Sequence, residues 1–442
     1  MLLTIISLIR PQLMVTSHNI PPVIADCQRD PLTPVAANER IETLDVLRGL
    51  ALFGILTVNV TAFSWPFEYA LWQREFWDSR GDVVVEWVIR FLAEGKFYPL
   101  FSFLFGLGTA LQMERANCRA APFAGRFCRR MFALLAFGLI HALLIWDGDV
   151  LVSYALCGFL LLPFRSCQPK TILIWAFACL LIPALFLILF WALLAGLALV
   201  PEIATAIQNG LDKYYGTYEE QRETIEEIIR VFASGSYSEI FRARLGNVIH
   251  MWLGGAFFAP GFLGLFLLGL YAGKRRIFQD IEANAGLIRQ VLIWGIVIGL
   301  PLNCIYAVSM ASGNLSNLHF LWLLSYGLLD IGGPAQSLAY ASAVTLMLRR
   351  KHWQQWLRVF GTAGKMALSN YLLQSLVCTM IFYSYGLGLF GAVGRVTGLG
   401  FAVAIYVAQI GFSIWWLSRF RYGPMEWLWR TLTYGKLQPM RV

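Results

Sequence analysis

The sequence predicts an all-α, polytopic membrane bundle of about ten spans. Of its 442 residues, 58% are hydrophobic and only 14% are charged, against roughly 25% in a soluble domain. Apolar runs of about 20 residues recur, the length that crosses a hydrocarbon core. Charge also alternates between successive loops, as the positive-inside rule requires of a chain threaded back and forth. The 16 Trp, 17 Tyr and 32 Phe suit membrane interfaces.

Residues 1–40 hold an apolar stretch too short to span, then the polar, Pro-rich "VTSHNIPPVIADCQRDPLTPVAANER". They are expected to form a disordered tail. Spans follow at about 44–64, 96–113, 131–146, 150–164 and 171–200, then 251–273, 287–309, 319–348, 364–389 and 397–417. A division near residue 250 separates an N-terminal membrane unit, 41–250, from a C-terminal one, 251–442. The loop 114–130, "ERANCRAAPFAGRFCRR", carries five Arg, and "KRR" at 274–276, "RRK" at 349–351 and "RFR" at 419–421 fall on the same side. Residues 201–250, on the other side, hold eight Asp or Glu against five Lys or Arg. Both termini are therefore expected in the cytoplasm.

Two segments on the exterior side have helical amphipathicity. "DVVVEWVIRFLAEGKF", 82–97, sets Glu86, Arg90 and Glu94 on a face apart from its apolar residues and reads as a helix lying at the interface. Residues 202–245 read as a longer amphipathic cap, either a cover for a site or a solvated connector.

Several function classes fall away. The net charge of +9 is spread over short loops, with no basic tail, so nucleic acid is not an expected partner. Five scattered His and eight Cys without a CxxC pair give no metal-ligand spacing. No Walker, GxSxG or HExxH motif is present.

What remains is polarity inside spans. "TLDVLRGLALFGILTVNVTAF", 43–63, places Asp45 and Arg48 at the cytoplasmic end of the first span. Asn59 lies eleven residues on, roughly 16 Å along the axis. In "GLIHALLIWDGDVLVSYALCGFLLLPF", 138–164, His141 sits five residues before Trp146, and Asp147 and Asp149 flank Gly148 in a tight turn. Asn59 and His141 are thus expected at one depth, near the outer leaflet. Asp330, in "LLDIGGPAQS", stands beside an expected helix break at Gly332, Gly333 and Pro334. The structural readings stay open beside these: an amide as helix-packing glue, a histidine bonded to a carbonyl, an acid–base pair anchoring a helix at the interface.

"RIETLDVLRGLALFGILTVNV", "GKFYPLFSFLFGLG" and "GLIHALLIWDGDVLVSYALCGFLLLPF" resemble the YeiB family of bacterial inner-membrane proteins. "GKMALSNYLLQSLVCTMIFYSYGLGLFG" and "FRYGPMEWLWRTLTYGK" resemble that family's C-terminal domain of unknown function. The N-terminal motif is also similar, more distantly, to membrane acetyltransferases such as the lysosomal heparan glucosaminide N-acetyltransferase. That resemblance implies acyl transfer from cytoplasmic acyl-CoA to an acceptor beyond the membrane. In that relative the residue matching Asn59 is followed in the next loop by a catalytic His, but residues 60–95 here contain none. His141 takes its place as the expected base.

Asp45, Arg48, Arg129 and Arg130 are then expected at the CoA site, the arginines against its phosphates. Asp147, Asp149 and Asp330 are expected to face the acceptor. The acceptor is a small molecule, lipid-linked or a glycan, and the sequence leaves room for a homo-oligomer in the lipid bilayer. A transporter or exporter of a small molecule is the rival reading, and a non-catalytic scaffold the third.

Overall fold

The computed structural model describes residues 41–66, 77, 79–118, 122–215, 218–311 and 321–441. The expected tail, 1–40, lies outside them. Fifteen helices are described: α1 Glu42–Ser64, α2 Arg80–Leu92, α3 Phe97–Cys118, α4 Phe123–Ile140, α5 Leu151–Phe159, α6 Pro169–Leu197, α7 Pro201–Tyr215 and α8 Tyr218–Ser234, followed by α9 Tyr237–Lys274, α10 Ala285–Ala311, α11 Leu321–Met347, α12 Lys351–Lys365, α13 Ala367–Phe382, α14 Arg395–Leu417 and α15 Pro424–Tyr434. Five are long and apolar enough to cross a membrane: α1, α4 with its extension to Ile145, α6, α10 and α14. Shorter apolar helices cover Ala259–Lys274 and Ala367–Phe382. The protein is a multi-pass helical membrane protein.

Each expected span overlaps a helix, but the ninth, 364–389, holds only α13 with the end of α12, and the fourth is cut shorter still. α5 has nine residues, about 13.5 Å of rise, well under the ~30 Å hydrocarbon core. The helix ends at Phe159, and a 3-10 turn follows at Pro163–Arg165. There the Lys274 ammonium donates to the carbonyls of Arg165 and Cys167, both at 2.8 Å. The expected division near residue 250 falls within α9, which runs unbroken for 38 residues.

α1 is the central helix, walled by α3, α12, α13 and α14. Its backbone touches α12 directly: a Cβ on Gly364 would lie 1.9 Å from the Asp45 carbonyl oxygen, and one on Gly49 would lie 2.0 Å from that of Phe360. The Tyr406 hydroxyl of α14 donates to the Gly49 carbonyl at 2.6 Å. Glycine at these positions is what lets the backbones meet, as in small-residue membrane interfaces generally.

α2 is the amphipathic helix expected at 82–97, and its faces are turned the opposite way from those of a surface helix. Asp82, Glu86 and Arg90 are buried, while Val83, Val84, Val88 and Leu92 are exposed. Glu86 pairs with Arg90 at 2.7 Å and with Arg395 at 3.7 Å, and Arg395 also donates to the Thr61 hydroxyl at 2.6 Å. A helix whose outer face meets hydrocarbon gains by hiding its charges inward.

From there α2 descends to the turn 93–96, where Gly95 has φ +76°. The Gly95 carbonyl packs where a Cβ on Gly333 would sit, and the Phe97 ring packs against Gly54. Gly54 and Gly333 lie mid-length in α1 and α11, so the chain breaks halfway across and resumes as α3. The open carbonyls at the end of α2 are met by side chains: Arg90 by Lys96 at 2.8 Å, Phe91 by Gln336 at 3.3 Å and Leu92 by Tyr340 at 3.0 Å. Such breaks persist in membranes where other groups satisfy the freed backbone.

The break expected at Gly332–Pro334 is not one. α11 runs helically through Pro334, since a proline within a helix removes one hydrogen bond and kinks it rather than ending it. Gly332 and Gly333 serve close packing instead, against Asn303 and Gly95. The cap expected at 202–245 begins as α7 and α8. Ile225 of α8 packs with Trp65 and Trp77, and Phe232 packs on Tyr383 and Phe390 with ring centroids 4.9 and 5.0 Å away. α8 therefore covers the far end of α1, opposite the end that carries Asp45 and Arg48.

Candidate functional site

A cavity of about 440 Å³ follows α1. One stripe of that helix, Arg48, Leu52, Ile55 and Asn59, lines it from the basic end toward the far end. The opposite wall comes from the broken crossing (Gly95, Phe97, Tyr98, Phe101) and from Tyr154 and Tyr371. The Tyr154 hydroxyl is within 2.7 Å of the Ser102 hydroxyl and donates to the Tyr98 carbonyl at 3.1 Å, so this wall is braced across α3 and α5.

At the basic end five cations, Arg48, Arg115, Arg130, Lys365 and Arg430, line the cavity with two acids, Asp45 and Glu426. Asp45 Oδ1 accepts from Arg48 at 3.0 Å, and its buried Oδ2 has no partner among the described residues. Arg130 lies over the Trp429 ring, 3.6 Å from its centroid, and the Trp429 indole donates to the Arg130 carbonyl at 2.9 Å. Glu426 accepts from the Leu368 and Ser369 N–H groups at 2.6 and 3.1 Å, so it is spent on the N-terminus of α13. Burial pushes the Glu426 carboxyl above its usual range, opposed by those hydrogen bonds. Among the described lining residues the cations outnumber the acids, five to two. Arg129 stands aside, its guanidinium against Gly435.

At the far end the lining is Asn59, Ala93, Gly95, Gly148, Val150 and Tyr371. His141 and Asp149 form a buried pair, Nδ1 to Oδ1, at 2.8 Å. The α-helix gives way to a π turn at His141–Ile145, which lets the chain turn back within a few residues and set Asp149 against the ring. Asp149 Oδ2 also accepts from the Val152 N–H at 2.8 Å, so one carboxylate caps α5 and orients the imidazole. Facing an ionised carboxylate, which only accepts, Nδ1 is the donor and Nε2 the open position of a neutral ring. Nε2 is buried without a partner among the described residues. The ring is one layer behind the cavity wall, 5.3 Å from the Tyr371 ring by centroids, with Asp149 set between the lining residues Gly148 and Val150.

The other acids lie elsewhere. Asp147 accepts from the Asn247 amide at 2.7 Å, and burial raises its carboxyl above the usual range, opposed by Asn247 and then by Arg244. Asp330 does not line the cavity and stands within electrostatic reach of Tyr98, which does. The structure thus brings Asp45, Arg48, Arg130 and Asn59 to one cavity and sets His141 and Asp149 directly behind it. Arg129, Asp147 and Asp330 stay outside. Arg115, Lys365 and Arg430 escape sequence reasoning because they sit on three helices far apart in the chain. Arg115 and Lys365 look like ordinary basic helix ends, and Arg430 lies mid-length in α15.

The family model described as "Protein of unknown function (DUF418)" matches residues 272–436. The "Uncharacterized protein YxaH" of Bacillus subtilis (strain 168) is 37% identical, over 92% of this chain and 98% of its own. The "Uncharacterized 39.9 kDa protein in amylase 3'region" of Bacillus acidopullulyticus is 30% identical over 92% and 98%. For the "Uncharacterized protein YeiB" of Escherichia coli (strain K12) the values are 29%, 91% and 98%. No solved structure matches the chain. With this likeness spanning nearly the whole of each chain, the protein belongs to the family that unites YxaH and YeiB.

Proposed function

We propose that the protein is an acyltransferase of the bacterial inner membrane. It takes an acyl group from acyl-CoA at its basic end, in the cytoplasm, and passes it to an acceptor at the far end. The observation that carries this reading is the single cavity joining five cations to Asn59, beside a carboxylate-oriented histidine. The CoA phosphates meet Arg48, Arg115, Arg130, Lys365 and Arg430, whose charge and geometry suit phosphate. The pantetheine arm then lies along Leu52 and Ile55, and the roughly 16 Å from Arg48 to Asn59 matches its extended reach.

The chemistry follows from the groups at the far end. An acceptor oxygen or nitrogen attacks the thioester carbonyl carbon, and its proton passes through one bridging water to His141 Nε2, which stands a layer behind the wall. The Asn59 amide donates to the carbonyl oxygen as negative charge grows there. The C–S bond breaks, and the sulfur leaves with the electron pair and recovers the proton from the imidazolium. Acyl-S-CoA and H–X give acyl–X and CoA-SH. Asp149 holds the ring in the tautomer this needs. Titrating the purified protein in detergent with acetyl-CoA should raise its melting temperature in a saturable way. A folded protein that acetyl-CoA never stabilises overturns the reading.

A small-molecule transporter is the second reading, favoured by the broken crossing α2–α3, a feature that transporters place at their binding sites. Loss of the thioester in the presence of membranes separates the two, because transport leaves the cargo chemically unchanged.

A further inference from the structure

The cavity-lining stripe of α1 continues beyond the cavity. Arg48, Leu52, Ile55 and Asn59 are spaced by four, three and four residues, and the next positions bordering that face are Ala62 and Phe63. The first four line the cavity and Phe63 does not. Its ring is 1% exposed and stacks on Trp146 with centroids 4.0 Å apart and planes inclined by 28°. Trp146 is 3% exposed and rests against Gly148, where a Cβ would come within 2.3 Å of the indole. Gly148 itself lines the cavity. Neither ring lines the cavity; the stack stands directly behind Gly148 at its far end, with Trp65 and Ile225 packed together further out along α1.

We infer that this stack measures the acyl group of the donor. The inference rests on the acyl-CoA reading, and it names Trp146 and Phe63 as the residues that set specificity for a short acyl chain. With the thioester carbonyl at Asn59, Phe63, four residues on, stands about 6 Å further out. Carbon atoms in contact need about 3.5–4.0 Å. What is left beyond the carbonyl carbon is about 2–2.5 Å, room for one carbon–carbon bond of ~1.5 Å and little more. A two-carbon acyl group fits that space, whereas a longer chain must displace a buried ring pair. Val58 and Val150, also in the lining, narrow the same end from the sides.

The test is calorimetric binding of CoA, acetyl-CoA, butyryl-CoA and octanoyl-CoA to the purified full chain in detergent, for the parent protein and for Trp146→Ala. A single surplus methylene in a tight apolar pocket costs roughly tenfold or more. The parent protein should therefore bind acetyl-CoA at least about tenfold more tightly than octanoyl-CoA. Trp146→Ala should erase most of that ratio by tightening octanoyl-CoA, with CoA itself unchanged. Trp146→Leu, which keeps an apolar plug of smaller reach, should give an intermediate ratio if the alanine variant does not fold. Equal binding of acetyl- and octanoyl-CoA by the parent protein overturns the measuring role and leaves the acyl-CoA reading standing. So does a folded Trp146 variant with the parent ratio. Failure of every CoA species, CoA included, to bind overturns both.

Discussion

The two ends of the cavity are assembled in opposite ways. The basic end draws its cations from five helices, α1, α3, α4, α12 and α15, and steadies them with aromatic rings and one carboxylate. The far end uses backbone, one amide and tightly packed rings, with its carboxylate–imidazole pair withdrawn behind the wall. Dispersed cations suit a ligand with several negative groups, whose hold falls with salt. A neutral, close-packed end contributes little to holding such a ligand, and its hydrogen-bonding groups act on a reaction centre instead. Binding and turnover should therefore separate along the length of α1, and each expected outcome below tests that separation.

The largest effect belongs to the far end. A general base contributes about 10²–10⁴-fold to rate, so His141→Gln should lower turnover by that order while acyl-CoA affinity stays near the parent value. Asp149→Asn should fall in the same direction, because an amide can present its NH₂ to Nδ1 and shift the ring proton to Nε2. Steady-state turnover beside calorimetric affinity checks both. A His141→Gln protein that loses affinity and keeps its turnover number breaks the separation.

The basic end should show the reverse pattern. Arg48→Ala removes a charge-assisted contact of about 1.5–3 kcal/mol, or roughly 10- to 150-fold in affinity. Melting temperature should fall somewhat as well, since the variant takes from the buried Asp45 carboxylate its Arg48 partner. Raising ionic strength should weaken binding in the parent protein more steeply than in the variant. An unchanged affinity would return Arg48 to an interface anchor.

Each end also holds one acid raised by burial, Asp147 at the far end and Glu426 at the basic end. A carboxyl whose folded pKa is raised binds its proton more tightly in the folded state. Its contribution to stability is complete below the unfolded value, about 3.9 for Asp and 4.3 for Glu, and is lost as pH rises through the folded pKa. These two carboxyls therefore withdraw stability as pH climbs from about 4 toward neutrality, against Glu227 and Glu239, whose lowered carboxyls act the other way. Asp147→Asn and Glu426→Gln should each flatten part of that slope in melting curves taken across pH. A variant with the parent slope would mean that its carboxyl contributes nothing to the dependence.

Much of this arrangement was legible in the sequence, and the illegible parts share a physical cause. Arg48 and Asn59 share a face because helical periodicity puts residues eleven apart on one stripe, and a single run of sequence contains both. The placement of His141 and Asn59 near one end also follows from counting along two helices, with Phe63 and Trp146 in contact there. The pairing of His141 with Asp149 was not legible, because it passes through a π turn and a reversal that have no period. Asp147 and Asp149, two residues apart, looked alike until the turn sent them to different partners. Amphipathicity revealed that α2 has two faces and did not say which one points inward. Pro334 advertised a break that a helix absorbs, while Gly95, where the chain does break, looks like any loop glycine.

The smallest expected effect tests how that break keeps the two ends joined. Along the middle of the cavity Gly95 and Phe97 form the wall, and the carbonyls left open at the end of α2 depend on donors from α11 and Lys96. Tyr340 donates to the Leu92 carbonyl at 3.0 Å and accepts from the Gln336 amide at 2.6 Å. Tyr340→Phe keeps the ring that stacks on Phe97 and removes only the hydroxyl. Loss of those two bonds costs about 1–3 kcal/mol, which for a protein of this size moves the melting temperature by only a few degrees. Affinity for acyl-CoA should hold, because no cation moves. Turnover should fall modestly, since the turn at 93–96 helps form the wall opposite Asn59. If Tyr340→Phe weakens binding as much as Arg48→Ala does, the middle of the cavity is not a passive passage, and the division of labour between its ends is wrong.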